Sequence, residues 1–292
     1  DELLRRVRDC WASAFGARVL FYRLKQGLPA EFPIGVVVQR MVNSEKSGVM
    51  FTVNPASNDP SRLVIESAFG LGEVVVGGQV TPDHYEVDKA TLAVVTRSVA
   101  RKEFLLARDA QSGANVRVPL DEVRGSAPVL TDAEIRSVAE LGLRDEAHYG
   151  VPQDIEFTIE GERLYIVQTR PVTTLLEKAK APPPASGSPV VLLHGLGASP
   201  GVATGTVRVL ASPLEEGRLR PGEVLVTTMT SPDWVPIMRR AAAIVTDSGG
   251  MTSHAAIVSR ELGIPCIVGT KDATRRLRDG MVVTVNARDG TV

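Results

Sequence analysis

The sequence predicts an α/β fold in two parts that are joined by a proline-rich linker. Short runs rich in β-branched residues alternate with stretches of helical period, and this mixture is typical of sheets covered by helices. Residues 178–190 read KAKAPPPASGSPV and have neither period, so we expect an extended linker there. We therefore predict domains over residues 1–177 and 191–292, a division that suits a chain of 292 residues.

The composition excludes several classes of function. The 33 basic and 34 acidic side chains nearly balance, so the chain as a whole lacks the charge of a nucleic-acid or membrane-surface protein. No apolar run approaches the roughly 18 residues of a spanning helix, and we expect no membrane partner. Cys10 and Cys266 cannot form a disulfide framework or a metal site by themselves, which favours a cytoplasmic location. The start at Asp1 suggests a piece of a longer protein.

The first part is predicted to contain short strands and one helix. The helix begins after Thr131, whose spacing to Glu134 is that of a capping box, and it ends at Gly150. The predicted strands are runs bounded by Asn, Pro, Ser and Gly, and they cover residues 34–42, 48–53, 63–66 and 92–99.

A β-hairpin is predicted after this helix. Residues 154–160 alternate polar and apolar side chains, Gly161 turns the chain, and residues 164–170 form the second strand. With a three-residue connection, Glu156 lies opposite Gln168 on one face. On the buried face, the same register pairs Phe157 with Val167 and Ile159 with Tyr165.

The polar face of this hairpin has the donor types of a magnesium and phosphate site. Glu156 and Gln168 offer hard oxygen ligands suited to Mg²⁺, and the guanidinium of Arg170, two residues along on the same face, suits a phosphate. Spacing alone favours an ordinary solvated strand face, and the residues by themselves leave both interpretations open.

The second part is predicted to be an α/β unit with one prominent helix. The helix covers residues 254–263 and ends at a glycine. The predicted strands cover residues 206–210, 223–227, 266–269 and 281–285.

His254 stands in the first turn of that helix, where backbone N–H groups lack intrahelical partners and the helix dipole favours an anion. A phosphate on the imidazole would be stabilised there, and a neutral imidazole is a nucleophile. Gly249 and Gly250 allow close backbone approach, and Thr252 and Ser253 offer hydroxyl donors. The alternative is that Ser253 is a plain N-cap and His254 an ordinary first-turn residue.

This segment resembles the phosphohistidine signature of the phosphoenolpyruvate-utilising enzymes. The resemblance implies that His254 carries phosphate between two remote sites. It also implies that Thr252 is a possible target of a regulatory kinase or phosphorylase, although a local turn hydroxyl is an equally good interpretation of Thr252. The matching residues are 252–256, 260–261, 263–265, 198–201 and Gly205.

The first part resembles the second half of the ATP-grasp domain of the same family. The resemblance rests on residues 39–42, 47–55 and 70–73. It implies an adenine-binding hinge at Gln39, Met41 and Val42. It further implies that Glu156 and Gln168 bind nucleotide and Mg²⁺, and that Arg170 contacts phosphate.

The resemblance implies an ATP-dependent phosphotransferase that passes phosphate through His254 to pyruvate and yields phosphoenolpyruvate, AMP and phosphate. We find no counterpart of the first half of the ATP-grasp domain or of the family's barrel domain, which binds pyruvate and phosphoenolpyruvate. Three alternatives stay open: a dikinase with inorganic phosphate as second acceptor, a dikinase with another acceptor, and a non-catalytic carrier module that a partner phosphorylates.

Overall fold

The computed structural model describes residues 1–16, 19–20, 23, 33–172 and 190–292. These residues form two compact units, Asp1–Val42 and Asn43–Val292. All but one residue of the predicted linker at 178–190 lies outside the described residues, so the domain boundary there stays a prediction. In the described part of the chain, no helix has the length and apolarity needed to span a membrane.

The first unit contains the helix α1 (Glu2–Ser13), and the Trp11 indole N–H donates a hydrogen bond to the Ile34 carbonyl at 3.2 Å. The predicted strand over residues 34–42 is wrong. The chain there has neither helix nor strand, because none of the described strands pairs with it. Most of its side chains are exposed, to 84% for Val37, and none is fully buried, so no core packing stabilises a strand either.

The second unit opens with an antiparallel sheet, which we call the first sheet. Its strand order is β4-β3-β2-β1-β7-β8, and β5 and β6 form a separate hairpin. The predicted strands at 48–53, 63–66 and 92–99 are confirmed as β1, β2 and β4. The bounds are β1 (Lys46–Phe51), β2 (Arg62–Phe69), β3 (Asp83–Asp88), β4 (Val94–Ser98), β5 (Phe104–Arg108), β6 (Asn115–Pro119), β7 (Gln153–Glu160) and β8 (Arg163–Pro171).

Helix α4 (Asp132–Tyr149) follows the shorter helices α2 (Glu73–Val76) and α3 (Glu122–Ser126). The predicted capping box is confirmed, because the Thr131 hydroxyl accepts from the Glu134 N–H and the Glu134 carboxylate accepts from the Thr131 N–H. Gly150 ends the helix in the left-handed conformation, with φ of 72°, which other residues seldom adopt. The apolar side of α4 packs on one face of the first sheet.

The β7–β8 hairpin has the predicted partners at its open end and a different register near its turn. Glu156 lies opposite Gln168 as predicted. The turn, however, has two residues instead of three, and a β-bulge next to Glu156 absorbs the difference by leaving Val167 unpaired. The predicted buried pairs are therefore wrong: Phe157 pairs with Ile166 and Ile159 pairs with Leu164.

A second six-stranded sheet follows, with the order β14-β10-β11-β12-β13-β9. Strands β10 to β13 run parallel in turn, and β9 and β14 are antiparallel edges. Their predicted counterparts are confirmed with small shifts at the ends. The bounds are β9 (Leu196–Ser199), β10 (Val202–Val209), β11 (Val224–Thr227), β12 (Ala243–Thr246), β13 (Cys266–Val268) and β14 (Val282–Asn286), with helices α5 (Val235–Met238), α6 (His254–Leu262) and α7 (Ala273–Arg276).

The two sheets share a continuous apolar cluster. Val49, Phe51 and Val64 point from the first sheet, on the face opposite α4, and they join Ala255 and Ala256 of α6 in this cluster. Alternate residues of a strand point to opposite faces, so the first sheet is covered by α4 on one side and by α6 on the other. The helix that begins at His254 is thus packed against the first sheet.

A buried ion pair stabilises the first sheet. The Lys102 ammonium lies 2.6 Å from the Asp83 carboxylate, and both side chains are fully buried. Asp83 also accepts hydrogen bonds from the Val129 and Ala100 N–H groups. Removal of the cation would leave a buried carboxylate without a compensating charge.

We expect Lys102→Ala to lower the free energy of unfolding of the intact protein by about 3–5 kcal/mol. Arg136→Ala is the matched control, because its pair with Glu140 is exposed and such pairs contribute less than about 1 kcal/mol. Urea denaturation, followed through the unfolding of the first sheet, measures the free energy of unfolding of both variants. Similar small losses for the two variants would contradict the burial of the Asp83–Lys102 pair.

Candidate functional site

The His254 imidazole forms a hydrogen bond with a side chain from the part of the second unit that contains the second sheet. Its Nδ1 lies 2.8 Å from the hydroxyl oxygen of Thr230, which is buried in the loop after β11. If Nδ1 carries the proton and donates to Thr230, the lone pair of the neutral imidazole resides on Nε2. Thr230 was not predicted, since a lone threonine in a loop gives no signal in the sequence.

The loop before His254 is bound by a carboxylate of the first sheet. Glu66 of β2 is fully buried and accepts hydrogen bonds from the Met251 N–H at 2.5 Å and the Thr252 N–H at 3.1 Å. The Thr252 hydroxyl donates to the same carboxylate at 2.9 Å. The two sides of the contact are 185 residues apart, so local patterns could not reveal it. The available signal was an acidic residue in an otherwise apolar strand, because a buried carboxylate requires partners.

Two glycines fit the loop to this carboxylate. A Cβ atom at Gly250 would lie 2.5 Å from a Glu66 carboxylate oxygen, so any larger residue would push the two apart. Gly249 has a φ of 112°, which L-residues with side chains rarely adopt. The Ser253 hydroxyl donates to the Gly250 carbonyl at 2.8 Å instead of capping α6.

Glu66 belongs to a row of directly opposed residues that crosses all six strands of the first sheet. Opposed residues on neighbouring strands share a face, and the strands lie about 4.8 Å apart. Glu66 and Glu156 therefore lie on the same face. Their strands are two positions apart in the sheet, which separates their backbones by roughly 10 Å. From β4 to β8, the row is Ser98, His84, Glu66, Val49, Glu156 and Gln168.

The predicted phosphate-site residues come together at the β8 end of this row. Arg170 pairs with Asp154, with guanidinium nitrogens 2.8 and 2.9 Å from one carboxylate oxygen. Burial raises the pKa of Asp154 even against this partner. Burial, and then the negative charge of Asp154, raise the pKa of Glu156 as well. Two half-buried carboxylates with raised pKa values form an environment that favours a bound cation.

The donor set fits a magnesium ion that is shared with a nucleotide. Glu156 and Gln168 present a carboxylate and an amide oxygen, and Mg²⁺ in such sites takes one or two protein ligands together with phosphate oxygens and water. No cluster of three or more His, Cys, Asp or Glu that could hold a metal ion occurs in the described ranges. Gln39, Met41 and Val42 belong to the first unit, and their predicted role at the adenine stays a prediction.

Two known families match parts of this chain. Residues 1–187 match the family described as pyruvate phosphate dikinase, AMP/ATP-binding domain, and residues 219–290 match the PEP-utilising enzyme, mobile domain. The chain therefore belongs to the pyruvate phosphate dikinase AMP/ATP-binding domain family. The match to the mobile domain of the phosphoenolpyruvate-utilising enzymes follows it along the chain.

The similar curated proteins include a probable phosphoenolpyruvate synthase of Archaeoglobus fulgidus, which is 51% identical over the whole of this chain. A phosphoenolpyruvate synthase of Pyrococcus furiosus is 50% identical, also over the whole chain. The chain spans 39% and 37% of the lengths of these two relatives.

Solved structures add little to this comparison. A solution structure of an Enzyme I protein (nEIt) aligns with a TM-score of 0.24 at 29% identity, over 26% of this chain and 32% of that one. The crystal structure of Thermococcus kodakaraensis aconitase X aligns with a TM-score of 0.28 at 21% identity, over 34% and 94%. Such scores support no conclusion about fold or function.

We expect Glu156→Gln to stabilise the protein slightly at pH 7 in the presence of a chelator. The pKa of Glu156 is raised on folding, so its ionised form opposes folding at neutral pH. The gain should be below about 1 kcal/mol, because water screens a half-exposed carboxylate. It should shrink as the pH falls through the raised pKa and vanish once Glu156 is protonated in both states.

Melting temperatures of both proteins, measured from about pH 4 to pH 8, give the change in stability across the range in which a glutamate titrates. Glu160→Gln, at the end of the same strand, is the matched control and should change the stability by less than about 0.5 kcal/mol. A loss of stability in Glu156→Gln at pH 7 would mean that the carboxylate serves the fold instead of a ligand.

Proposed function

We propose that the intact protein is an ATP-dependent phosphotransferase of the phosphoenolpyruvate synthase type. It transfers phosphate from ATP through His254 to pyruvate and forms phosphoenolpyruvate, AMP and phosphate. One observation carries this proposal: Glu66 binds the His254 loop to the same row of the first sheet that bears Glu156 and Gln168. The names of the relatives and the description of the mobile domain support the choice of reaction.

The nucleophile in this proposal is Nε2 of His254. In this tautomer the Nδ1–H of His254 donates a hydrogen bond to the Thr230 hydroxyl, and this bond holds the ring orientation. Nε2 attacks the β-phosphorus of ATP, a nitrogen–phosphorus bond forms, and the bond to the AMP oxygen breaks. Water then releases the terminal phosphate, and a phosphoryl group stays on the ring. The N-terminal end of α6 stabilises this charge, because its first N–H groups have no intrahelical partners.

The polar face of the β7–β8 hairpin is proposed to bind the triphosphate. Glu156 and Gln168 would hold Mg²⁺, which neutralises negative charge on the transferring phosphates when it is bound. Arg170 offers its guanidinium to phosphate oxygens, and Asp154 orients that guanidinium through the ion pair.

Delivery to pyruvate requires the mobile domain to leave the first sheet. The contact includes the Glu66 carboxylate and an apolar cluster, and the two sheets share no strand pairing in the described residues, so opening it is proposed to leave the pairing of both sheets intact. A base removes a methyl proton from pyruvate to give the enolate, whose oxygen forms a bond to phosphorus as the Nε2–phosphorus bond breaks, and the imidazole returns to its neutral form.

The direct test is the identification of the phosphorylated residue. The intact protein, incubated with Mg²⁺ and radiolabelled ATP but without pyruvate, should acquire a label that is labile in acid and stable in base, as a phosphoramidate is. His254→Asn should abolish the label, because its amide nitrogen is not a nucleophile. An acid-stable label, or a label that survives His254→Asn, would contradict the proposal.

A second variant tests the role of the Thr230 hydroxyl. We expect Thr230→Val to slow labelling of His254 by ATP roughly 3- to 10-fold, the effect of one lost hydrogen bond. Thr230→Ser, which keeps the hydroxyl, should restore most of the rate. Rapid-quench measurement of a single turnover gives the rate constants. Equal rates for Thr230→Val and the unchanged protein would exclude an orienting role.

A further inference from the structure

A buried histidine lies next to Glu66, and the proposed chemistry does not use it. His84 of β3 is opposite Glu66, and its side chain is 9% exposed. Its Nδ1 is 3.6 Å from a Glu66 carboxylate oxygen, and its Nε2 is 3.9 Å from a Glu86 carboxylate oxygen. These distances are those of ion pairs, longer than hydrogen bonds. The ring thus lies between two carboxylates, and one of them binds the His254 loop.

We propose that His84 is a positioning residue for the phosphorylation of His254 by ATP: its imidazolium supplies the positive charge that holds Glu66 as the acceptor for the His254 loop. This inference rests on the proposed function and extends it to a residue that lies beside Glu66 and Glu86. His84 acts only through Glu66.

Glu66 needs a cation because it is fully buried. Its three hydrogen-bond donors are the neutral N–H groups and hydroxyl of the loop, and burial by itself disfavours a carboxylate. Burial would raise the pKa of Glu66, yet His84 and the loop donors outweigh burial and lower it. Burial likewise disfavours a charged imidazole, but Glu66 and Glu86 raise the pKa of His84 to about 9. Both groups are therefore charged at neutral pH.

The other charged groups around this pair fit the same assignment. His84 has the largest effect in lowering the pKa of Glu86, and the charge of Arg62 lowers it further. From the side of α6, the buried guanidinium of Arg260 interacts with Glu66 through charge, while it donates hydrogen bonds to the Ala198 and Met251 carbonyls at 2.9 and 2.8 Å. On β4 the residue opposite His84 is the uncharged Ser98, so this strand adds no charge in the row.

Glu86 connects this buried pair to solvent. Its carboxylate accepts a hydrogen bond from the Asn54 side-chain amide at 2.9 Å, and it lines a cleft of about 1050 Å³. A proton can therefore reach or leave His84 without opening the sheet. The contact between Glu66 and the loop should weaken as the pH rises through the pKa of His84, because the carboxylate then loses its counter-ion.

The test separates the two half-reactions of the intact protein. In His84→Gln, labelling of His254 by ATP should slow at least about tenfold, since one pKa unit of charge stabilisation corresponds to a factor of ten. Labelling of His254 by phosphoenolpyruvate in reverse should change less than about twofold, because the mobile domain then stands away from Glu66. Glu66→Gln should show the same split, and the double variant should lose no more than Glu66→Gln alone.

The pH profiles of the unchanged protein and of Glu86→Gln give a second readout, and this comparison does not depend on how well His84→Gln folds. The rate of labelling by ATP should fall as the pH rises through about 9. Glu86→Gln removes one of the two carboxylates that raise the pKa of His84, so this fall should move to lower pH. His84→Gln should lack it.

Three results would overturn the inference. They are an unchanged rate with ATP in His84→Gln, equal losses with ATP and with phosphoenolpyruvate, and an alkaline fall that Glu86→Gln leaves in place. Equal losses would assign His84 to the stability of the sheet, and an alkaline fall that Glu86→Gln leaves in place would assign this fall to a group other than His84. If the unchanged protein gains no label on His254 from ATP, the proposed function fails and the inference fails with it. If the unchanged protein is labelled and His84→Gln is labelled at the same rate, only the inference fails.

Discussion

The burial of the Glu66 carboxylate is the constraint on which the functional arrangement depends. A carboxylate inside a sheet is costly unless every lone pair is used and a positive charge is near. In this protein the hydrogen-bond donors come from outside the sheet, from the Met251 and Thr252 groups of the loop that leads into α6, and the positive charge comes from His84 of β3. The phosphohistidine candidate is thus placed by the need to satisfy a buried acid.

Several features of the two sheets follow from this contact. Gly250 is required because a side chain would collide with the carboxylate. The apolar face of the first sheet must remain open to α6, so α4 covers only the opposite face. The row across the six strands then places Glu66 between His84 on one side and Glu156 on the other. We propose that residues of this one row hold the His254 loop and also bind the nucleotide.

Sequence patterns predicted the local features well. The capping box at Thr131, the end of α4 at Gly150 and the pairing of Glu156 with Gln168 depend on residues close in the chain. The bulge at Val167 escaped prediction because alternation in a strand does not report a single extra residue. Glu66 escaped because its partners are 185 residues away, a separation at which periodicity carries no information.

The central claim is that Glu66 holds the His254 loop on the first sheet, and hydrogen exchange of the loop amides tests it most directly. In the intact protein, the Met251 and Thr252 amides should be protected, because both donate to a buried carboxylate. Glu66→Gln should speed their exchange about tenfold or more while the amides of β1 and β2 keep their rates. Equal exchange at Met251 and Thr252 in the two proteins would contradict the claim.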